Sequence, residues 1–276
     1  MEVSVVTPSF RNSDWLRLCI ASVEDQGVGC EHIVQDGGSD DGTLEWLPGD
    51  KRVKAFVEKD SGMYDAINRG LRKASGDIFA YLNCDEQYLP GTLDAVTRFF
   101  ADHPDVEMVF AYTVAVDGNG QYLFHRKVQV PLLYHTWTHP LSVLTCATFF
   151  RRSIVEGRGV FFDTTYKIGG DAEWILRLLR QKVSMAVLPQ FTSCFTITGQ
   201  NLSADVRAGS EMQRLMSTAP GWARRARPAI LLHHRLRRWL AGVYRQDPFN
   251  YAIYTLRNSA RRVSFDVPRP TGRWKW

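Results

Sequence analysis

Long apolar runs are missing from this 276-residue sequence. A transmembrane helix needs about 20 consecutive apolar residues, and no stretch approaches that length, which argues against an integral membrane protein. The first ten residues carry no basic cluster and do not predict a signal peptide. The five cysteines are odd in number and widely spaced, with no C-x-x-C pair. This spacing favours reduced thiols in a cytosolic compartment over a disulfide framework or a zinc site.

Negative charge is scarce in the C-terminal part of the chain. Residues 220–276 contain 13 Lys and Arg but 2 Asp and Glu, whereas residues 1–219 contain 21 Lys and Arg against 27 Asp and Glu. The net charge of +5 therefore combines −6 with +11. This asymmetry predicts an acidic catalytic body over 1–219 and a basic C-terminal region over 220–276 that meets an anionic partner.

Short β-branched runs alternate with helix-period stretches through the first 105 residues. Strands are predicted at 3–6, 32–35, 53–57 and 78–82, with a helix after each of the first, third and fourth. This alternation predicts an α/β fold with a parallel sheet. Further strands at 107–112, 122–130, 146–151 and 184–188, and a helix at 171–182, predict that the sheet becomes mixed.

Polar segments follow the first four predicted strands. They are Thr7-Pro8-Ser9, Asp36 to Ser39, Asp60, and Asn83-Cys84-Asp85-Glu86. Ligands of parallel sheets bind beyond the carboxyl ends of the strands, so these segments are expected to converge on one crevice.

Three of the polar features could carry chemistry, and each has a structural alternative. Asp85 and Glu86 carry hard oxygen ligands suited to Mg²⁺ or Mn²⁺, which usually also bind phosphate oxygens of a substrate. The alternative is that they belong to a solvated turn or that Asp85 caps the following helix. The glycine-rich turn 36–43 could approach a ligand closely or simply cap a helix, and it matches neither G-x-G-x-x-G nor a P-loop. Asp171 begins a helix, as a cap or as a general base.

The combination of motifs resembles the family 2 glycosyltransferases with the GT-A fold, especially those that assemble bacterial surface polysaccharides. The matching segments occur in order over about residues 1–200: VSVVTPSF from Val3, QDGGSDDGT from Gln35, EKDSGMYDAINRG from Glu58, LNCDE from Leu82, and GDAEW from Gly170. The resemblance implies a Rossmann-like mixed sheet flanked by helices, followed here by a basic helical extension.

Site residues follow from the resemblance position by position. Pro8, Ser9, Asp36, Asp60, Asn83 and Cys84 would bind a UDP- or GDP-linked sugar. Asn83-Cys84-Asp85 occupies the place of the family's D-x-D motif, which makes Asp85 the expected ligand of Mn²⁺ or Mg²⁺. Asp171 falls where the family keeps the catalytic base of an inverting transfer.

Several positions depart from the family pattern. Asn83 replaces the first Asp of D-x-D, Glu86 replaces a common Asp, and Gly37 stands where many relatives have a second Asp that helps to read the base. No Q-x-x-R-W motif of processive members follows Asp171, so transfer of a single sugar is expected. These departures leave open a second interpretation, a nucleotide-sugar-binding scaffold without turnover.

The basic region is predicted to form an amphipathic helix over 223–244 and a second helix over 251–263. Such helices suit an anionic membrane surface, and packing on the body or on a second copy of the chain is the alternative. No nucleic-acid-binding module accompanies the charge, so no nucleic-acid partner is expected. The acceptor is expected to be a glycan or a polyprenyl-linked glycan. The expected location is the cytoplasm, including the inner face of the cytoplasmic membrane.

Overall fold

The structure is a computed structural model, and it describes residues 1–138, 143–199, 201 and 207–272. The strands are β1 (Val3–Ser9), β2 (Cys30–Asp36), β3 (Lys54–Val57), β4 (Ile78–Tyr81), β5 (Glu86–Tyr88), β6 (Met108–Asp117), β7 (Tyr122–Arg126), β8 (Thr148–Arg151), β9 (Met185–Ile197), β10 (Phe249–Thr255) and β11 (Asn258–Val267). The helices are α1 (Ser13–Glu24), α2 (Thr43–Trp46), α3 (Met63–Lys73), α4 (Thr92–Asp102), α5 (Leu133–Thr136), α6 (Gly170–Arg180), α7 (Arg207–Ser217), α8 (Gly221–Arg225) and α9 (Arg227–Leu240).

The central sheet has the order β3-β2-β1-β4-β8-β6-β9-β5, with β7 paired to β6. Strands β3, β2, β1 and β4 are parallel, and β8 pairs antiparallel with both β4 and β6. The predicted α/β fold with a mixed sheet flanked by helices is therefore confirmed. The strand predicted at 184–188 continues to Ile197 as β9, which runs parallel to β6.

Two apolar cores lie on the two faces of the sheet. One packs α3 and α6 against the strands and includes Ile67 and Trp174, and the other packs α1 and α4 through residues such as Cys19 and Phe100. Helix α3 approaches β1 so closely that a Cβ on Gly70 would lie 2.3 Å from Val6 Cγ1. Glycine is therefore required there for helix α3 to reach the sheet.

The second C-terminal helix, predicted over 251–263, is wrong, because this segment forms the antiparallel hairpin β10–β11. Tyr251 and Ile253 alternate inward and join a core with Val114 of β6, a period of two that suits a strand. Arg262, counted as part of a helical basic face, instead binds Asp25 through two hydrogen bonds of 2.6 Å. In the described part of the basic region, residues 220–272, the helices are α8 and α9, so the one helix predicted over 223–244 is divided into two.

The 219/220 boundary stays a prediction, although the hairpin is packed on the body. Gln87 of β5 exchanges two hydrogen bonds with the backbone of Tyr254, each 2.9 Å long. Within the described residues, no helix combines the length and the apolar character that crossing a bilayer requires.

Candidate functional site

The ends of β1 and β2 lie side by side at the carboxyl edge of the sheet. Ser9 pairs with Asp36, and the Gly37 amide donates to the Ser9 carbonyl at 2.9 Å. The Asp36 carboxylate accepts three hydrogen bonds, from the Gly38 and Ser39 amides and the Ser39 hydroxyl, at 2.7 to 2.9 Å. Asp36 therefore fixes the glycine-rich turn. Pro8 is buried beside this turn, and the buried Ser9 hydroxyl has no hydrogen-bond partner in the described part of the chain.

Asp60 follows β3 and reaches over the turn. Its Oδ1 accepts the Gly62 amide at 2.8 Å, and its Oδ2 lies 2.8 Å from where a Cβ on Gly37 would stand. The Asp60 carboxylate therefore occupies the space that a side chain at position 37 would need. Burial raises the pKa of Asp60, and the nearby Asp65 raises it further.

The acidic segment after β4 is tied back to β1 and to the chain beyond β9. Asn12 donates from Nδ2 to Cys84 Sγ at 3.2 Å, and Asn201 donates from Nδ2 to Asp85 Oδ2 at 3.2 Å. Asn83 donates its amide to Glu86 Oε2 at 2.8 Å. Burial raises the pKa of both Asp85 and Glu86. Neither carboxylate forms an ion pair with a cationic side chain in the described residues, and their burial favours added positive charge.

Asp171 lies in the first turn of α6. Its Oδ1 accepts the Ala172 amide at 2.8 Å, and its own amide donates to the Tyr64 hydroxyl at 3.2 Å. Burial raises the pKa of Asp171 to about 6, and Glu211 adds to the rise. The side chain nevertheless keeps partial solvent exposure, which a group that takes a proton from a substrate needs.

Further contacts link Asp171 to the other segments. Tyr81, the last residue of β4, is buried, and its pKa is raised by burial and then by the neighbouring Tyr64, Asp171 and Glu86. Lys167 donates from Nζ to the Ser61 carbonyl at 2.7 Å, which joins the loop before α6 to the loop after β3. Neighbouring polar segments at this edge are therefore joined pairwise by contacts, and their convergence on one shared crevice stays a prediction.

Three residues of the site were not among the predicted site residues. Tyr64 donates from its hydroxyl to the Ile168 carbonyl at 2.6 Å and packs its ring against Gly170. Glu211 of α7 accepts the amides of Lys167, Ile168 and Gly169 at 2.8 to 2.9 Å. Asn201 binds Asp85. Each lies far along the chain from its partners. Tyr64 falls within the matching segment that begins at Glu58, whereas no matching segment contains Asn201 or Glu211.

The match to known proteins agrees with this geometry. The model of the family described as Glycosyl transferase family 2 matches residues 4–159, more than half of the chain. The parallel half-sheet, the carboxylates at its edge and the mixed continuation define a GT-A-type nucleotide-sugar transferase fold. The chain belongs to glycosyl transferase family 2.

Two relatives show where the similarity lies. A PGL/p-HBAD biosynthesis glycosyltransferase of Mycobacterium bovis is 32% identical over 181 residues, which cover 63% of this chain and 68% of the relative. The minor teichoic acid biosynthesis protein GgaB of Bacillus subtilis is 25% identical over 193 residues. That match covers 66% of this chain and only 21% of GgaB.

A solved structure shares the fold. The structure of residues 1–349 of TarS from S. aureus in complex with UDP-GlcNAc matches with a TM-score of 0.65 at 17% identity. The match covers 87% of this chain and 73% of that one. At this identity the likeness supports the GT-A architecture of the present chain.

Proposed function

We propose that this chain transfers one sugar from a UDP- or GDP-linked donor to a hydroxyl group of a glycan or polyprenyl-linked acceptor, with inversion at the anomeric carbon. The observation that carries the proposal is Asp171, a partly exposed carboxylate with a raised pKa at the edge that also holds Asp60 and Asp85. In the described part of the chain no cation lies within ion-pair distance of Asp171, so its basicity is not suppressed.

The reaction needs Asp171 as a general base. As the acceptor hydroxyl oxygen forms a bond to the anomeric carbon, Asp171 accepts the hydroxyl proton, and the bond from that carbon to the diphosphate oxygen breaks on the opposite face. The Tyr64 hydroxyl accepts from the Asp171 amide and donates to the Ile168 carbonyl, and so fixes the first turn of α6 against α3. The base is thereby positioned before the acceptor binds.

Donor binding is supported by buried acceptors at the strand ends. The Ser9 hydroxyl and Asn83 Oδ1 are buried without hydrogen-bond partners in the described residues, and both lie at the edge with Asp60. Buried polar atoms cost free energy unless a ligand satisfies them, so these atoms fit ribose or base groups of a nucleotide. Asp36 supports the same pocket indirectly by shaping the turn, with Pro8 beneath it.

The residues present fit a divalent cation that is completed by the donor. The described residues hold no group of three His, Cys, Asp or Glu side chains that could bind a metal alone. Mg²⁺ and Mn²⁺ sites of this kind need only one or two carboxylates, with phosphate and water oxygens completing the shell. Asp85, which accepts a hydrogen bond from Asn201 but forms no ion pair with a described residue, meets that need. When bound, the cation neutralises negative charge on the leaving diphosphate.

The acceptor class is supported by the relatives and by the surface. GgaB acts in minor teichoic acid biosynthesis, and the M. bovis relative acts in PGL/p-HBAD biosynthesis. On α9, Leu232, Leu236, Trp239 and Leu240 form a stripe in which each side chain is at least 50% exposed. With exposed arginines beside it, this stripe suits the headgroup region of an anionic bilayer, so work at the cytoplasmic membrane face is part of the proposal.

Donor hydrolysis tests the proposal and separates it from a binding scaffold without turnover. Purified chain with Mn²⁺ and UDP- or GDP-sugars is expected to release nucleoside diphosphate. Asp171→Asn and Asp85→Ala are each expected to reduce release at least about 100-fold. Asp94→Asn, a carboxylate paired with Arg98 on α4, is the matched control and should stay active. Nucleotide binding without release, with every donor and acceptor pool, would favour the scaffold.

A further inference from the structure

One side chain from beyond β9 contacts the acidic segment after β4. Asn201 donates from Nδ2 to Asp85 Oδ2 at 3.2 Å, although the two residues lie 116 positions apart in the sequence. The sheet brings them together, because Glu86 of β5 pairs antiparallel with Phe195 of β9. In this register Asp85, the residue before Glu86, continues opposite Thr196, which places the end of β9 beside the Asp85 carboxylate.

Two backbone groups fix the orientation of the Asn201 side chain. Its Oδ1 accepts the Thr198 amide at 2.9 Å, and its Nδ2 donates to the Thr196 carbonyl at 2.9 Å. A backbone amide can only donate and a carbonyl can only accept, so the oxygen and the nitrogen of this side chain cannot exchange places. The second hydrogen of Nδ2 is therefore the one that Asp85 accepts.

The orientation of the Asp85 carboxylate depends on this contact. Asn201 is the one other residue of the described chain from which Asp85 accepts a side-chain hydrogen bond. Carboxylates that bind metal ions are commonly held in this way by a neighbouring donor. A neutral amide holds the carboxylate without offsetting its charge, whereas an arginine or a lysine would offset the charge that attracts a cation.

We propose that Asn201 is a positioning residue, which holds the Asp85 carboxylate in the orientation that binds the divalent cation of the donor complex. The inference rests on the proposed metal-assisted transfer. Mg²⁺ and Mn²⁺ sites completed by a phosphate take only one or two carboxylates from the protein, and Asp85 is the carboxylate proposed here. A change in its orientation therefore weakens the chain's own contribution to binding the cation.

A purely structural role for Asn201 would be to shape the turn after β9. Its contacts with Thr196 and Thr198 are sufficient for that role, and they do not involve Asp85. The two roles predict different behaviour. A residue that only shapes the turn leaves the affinity for the cation unchanged, whereas a residue that orients Asp85 changes it.

Binding of Mn²⁺ tests the proposal without turnover. Free Mn²⁺ is measured by electron paramagnetic resonance with the full chain and UDP, and in a separate series with GDP. Asn201→Ala is expected to weaken the binding of Mn²⁺ to the complex by about 10- to 100-fold, and to leave the affinity for the nucleotide without Mn²⁺ unchanged. The matched control is Asn250→Ala, an exposed asparagine on β10, which should keep the Mn²⁺ affinity of the unmodified chain.

Donor hydrolysis gives a second measurement. Because Asn201→Ala still contains the Asp85 carboxylate, its rate at a high concentration of Mn²⁺ should approach that of the unmodified chain. Asp85→Ala lacks the carboxylate itself, so added Mn²⁺ should not restore its rate. A residue that only shapes the turn would show no such rescue.

Other outcomes overturn the assignment. Equal Mn²⁺ affinity in Asn201→Ala and in the unmodified chain would show that Asp85 does not need Asn201. Weaker nucleotide binding without Mn²⁺ would show that Asn201 shapes the donor pocket and not the cation site. If thermal unfolding shows that Asn201→Ala does not fold, Asn201→Ser replaces it, because a serine hydroxyl can still accept the Thr198 amide.

Failure of the proposed function itself would be seen in the unmodified chain. If the chain with nucleotide binds no more Mn²⁺ than the nucleotide alone, the cation site is rejected, and the role of Asn201 with it. If Mn²⁺ binds but no donor is hydrolysed, the transfer reaction is rejected, and the Mn²⁺ affinity of Asn201→Ala still decides the role of Asn201.

Discussion

A carboxylate that takes a proton from a hydroxyl group works best when its pKa is close to the working pH. An ordinary Asp, with a pKa near 4, is a weak base at neutral pH. Burial raises the pKa of Asp171 to about 6, and no cation in the described chain opposes the rise. The environment of α6 therefore makes this residue a stronger base while leaving it mostly ionised at pH 7.

The rate of transfer is expected to depend on the ionisation of Asp171. Because the base must be charged, kcat should be constant above pH 7 and should fall about tenfold per unit below pH 6. Initial rates between pH 5 and 8, with the donor at saturation, measure this profile. Asp171→Asn should remove the acidic limb together with most of the activity. A wild-type rate that is the same at pH 5 and pH 7 would contradict the assignment of the base.

At the residue scale the sequence predicts the types of side chain at the site better than their roles. Asp36, Asp60 and Asp85 lie at or just after the ends of β2, β3 and β4, as the strand ends predict, whereas Asp171 lies in the first turn of α6. Both carboxylate oxygens of Asp36, however, accept hydrogen bonds from its own turn. That the Asp60 carboxylate fills the space beside Gly37 is visible only in the structure. Gly37 has no side chain, and the Asp60 carboxylate, which follows β3, fills the space that this leaves. No local sequence pattern indicates such a pair.

At the scale of elements, α7 controls the start of α6. The Glu211 carboxylate accepts three consecutive amides of the loop that leads into α6. Those amides would otherwise direct positive potential towards the first turn and favour the ionised form of Asp171. Glu211 thus holds the loop in place and, after burial, adds to the rise in the pKa of Asp171.

Glu211→Gln is expected to lower kcat by roughly tenfold and to move the acidic limb of the kcat profile to lower pH. The direction follows because removal of a negative charge lowers the pKa of Asp171. Donor affinity should change little, since Glu211 does not contact Asp60 or Asp85. The same pH-dependent rate assay measures the shift.

The control for this change is Glu173→Gln. Glu173 lies on α6 close to Asp171, but its carboxylate pairs with Arg177 at 2.7 Å. It should leave the acidic limb in place. A profile that is unmoved in Glu211→Gln, or moved equally in both variants, would reject the positioning role of Glu211.

The spacing of apolar residues along the sequence also explains which helices and strands could be predicted. Helices such as α3 and α6 have an apolar face at helical spacing, and buried strands such as β1 and β4 are short apolar runs. The hairpin β10–β11 was misassigned because arginines at 257, 261 and 262 resemble one face of a helix. In a two-stranded ribbon packed by one face, such arginines belong to the exposed face or, like Arg262, reach back to Asp25.

At the scale of the whole molecule, the charge asymmetry of the sequence is realised as a division of surfaces. Acidic side chains cluster at the strand ends of the body, where a cation and a diphosphate would bind. Basic side chains are concentrated on α8, α9 and β11, and α9 also carries the exposed apolar stripe. The difference in net charge between residues 1–219 and 220–276 can be counted from the sequence alone. The sequence does not predict that the hairpin β10–β11 contacts the body through Asp25 and Gln87.

One buried carboxylate ties together the half of the sheet on which the site depends. Glu31 of β2 accepts hydrogen bonds from Ser4 of β1, Lys54 of β3, and the amide and hydroxyl of Ser75 before β4. Burial opposes the charge, but these bonds prevail and lower the pKa of Glu31 to about 2. A lowered pKa means that the ionised form stabilises the fold above pH 4.5, and that this contribution is lost as pH falls towards 2.

Glu31→Gln should therefore lower the free energy of unfolding by about 3 kcal/mol at pH 7, with a difference from wild type that shrinks as pH falls from 4.5 towards 2. Urea unfolding at pH 7, 4 and 3 measures both quantities. Glu156→Gln, an exposed carboxylate paired with Arg152, should cost less than about 1 kcal/mol at each pH. A loss in Glu31→Gln that is equally large at pH 7 and pH 3 would mean that packing, and not the charge of Glu31, holds the parallel strands together.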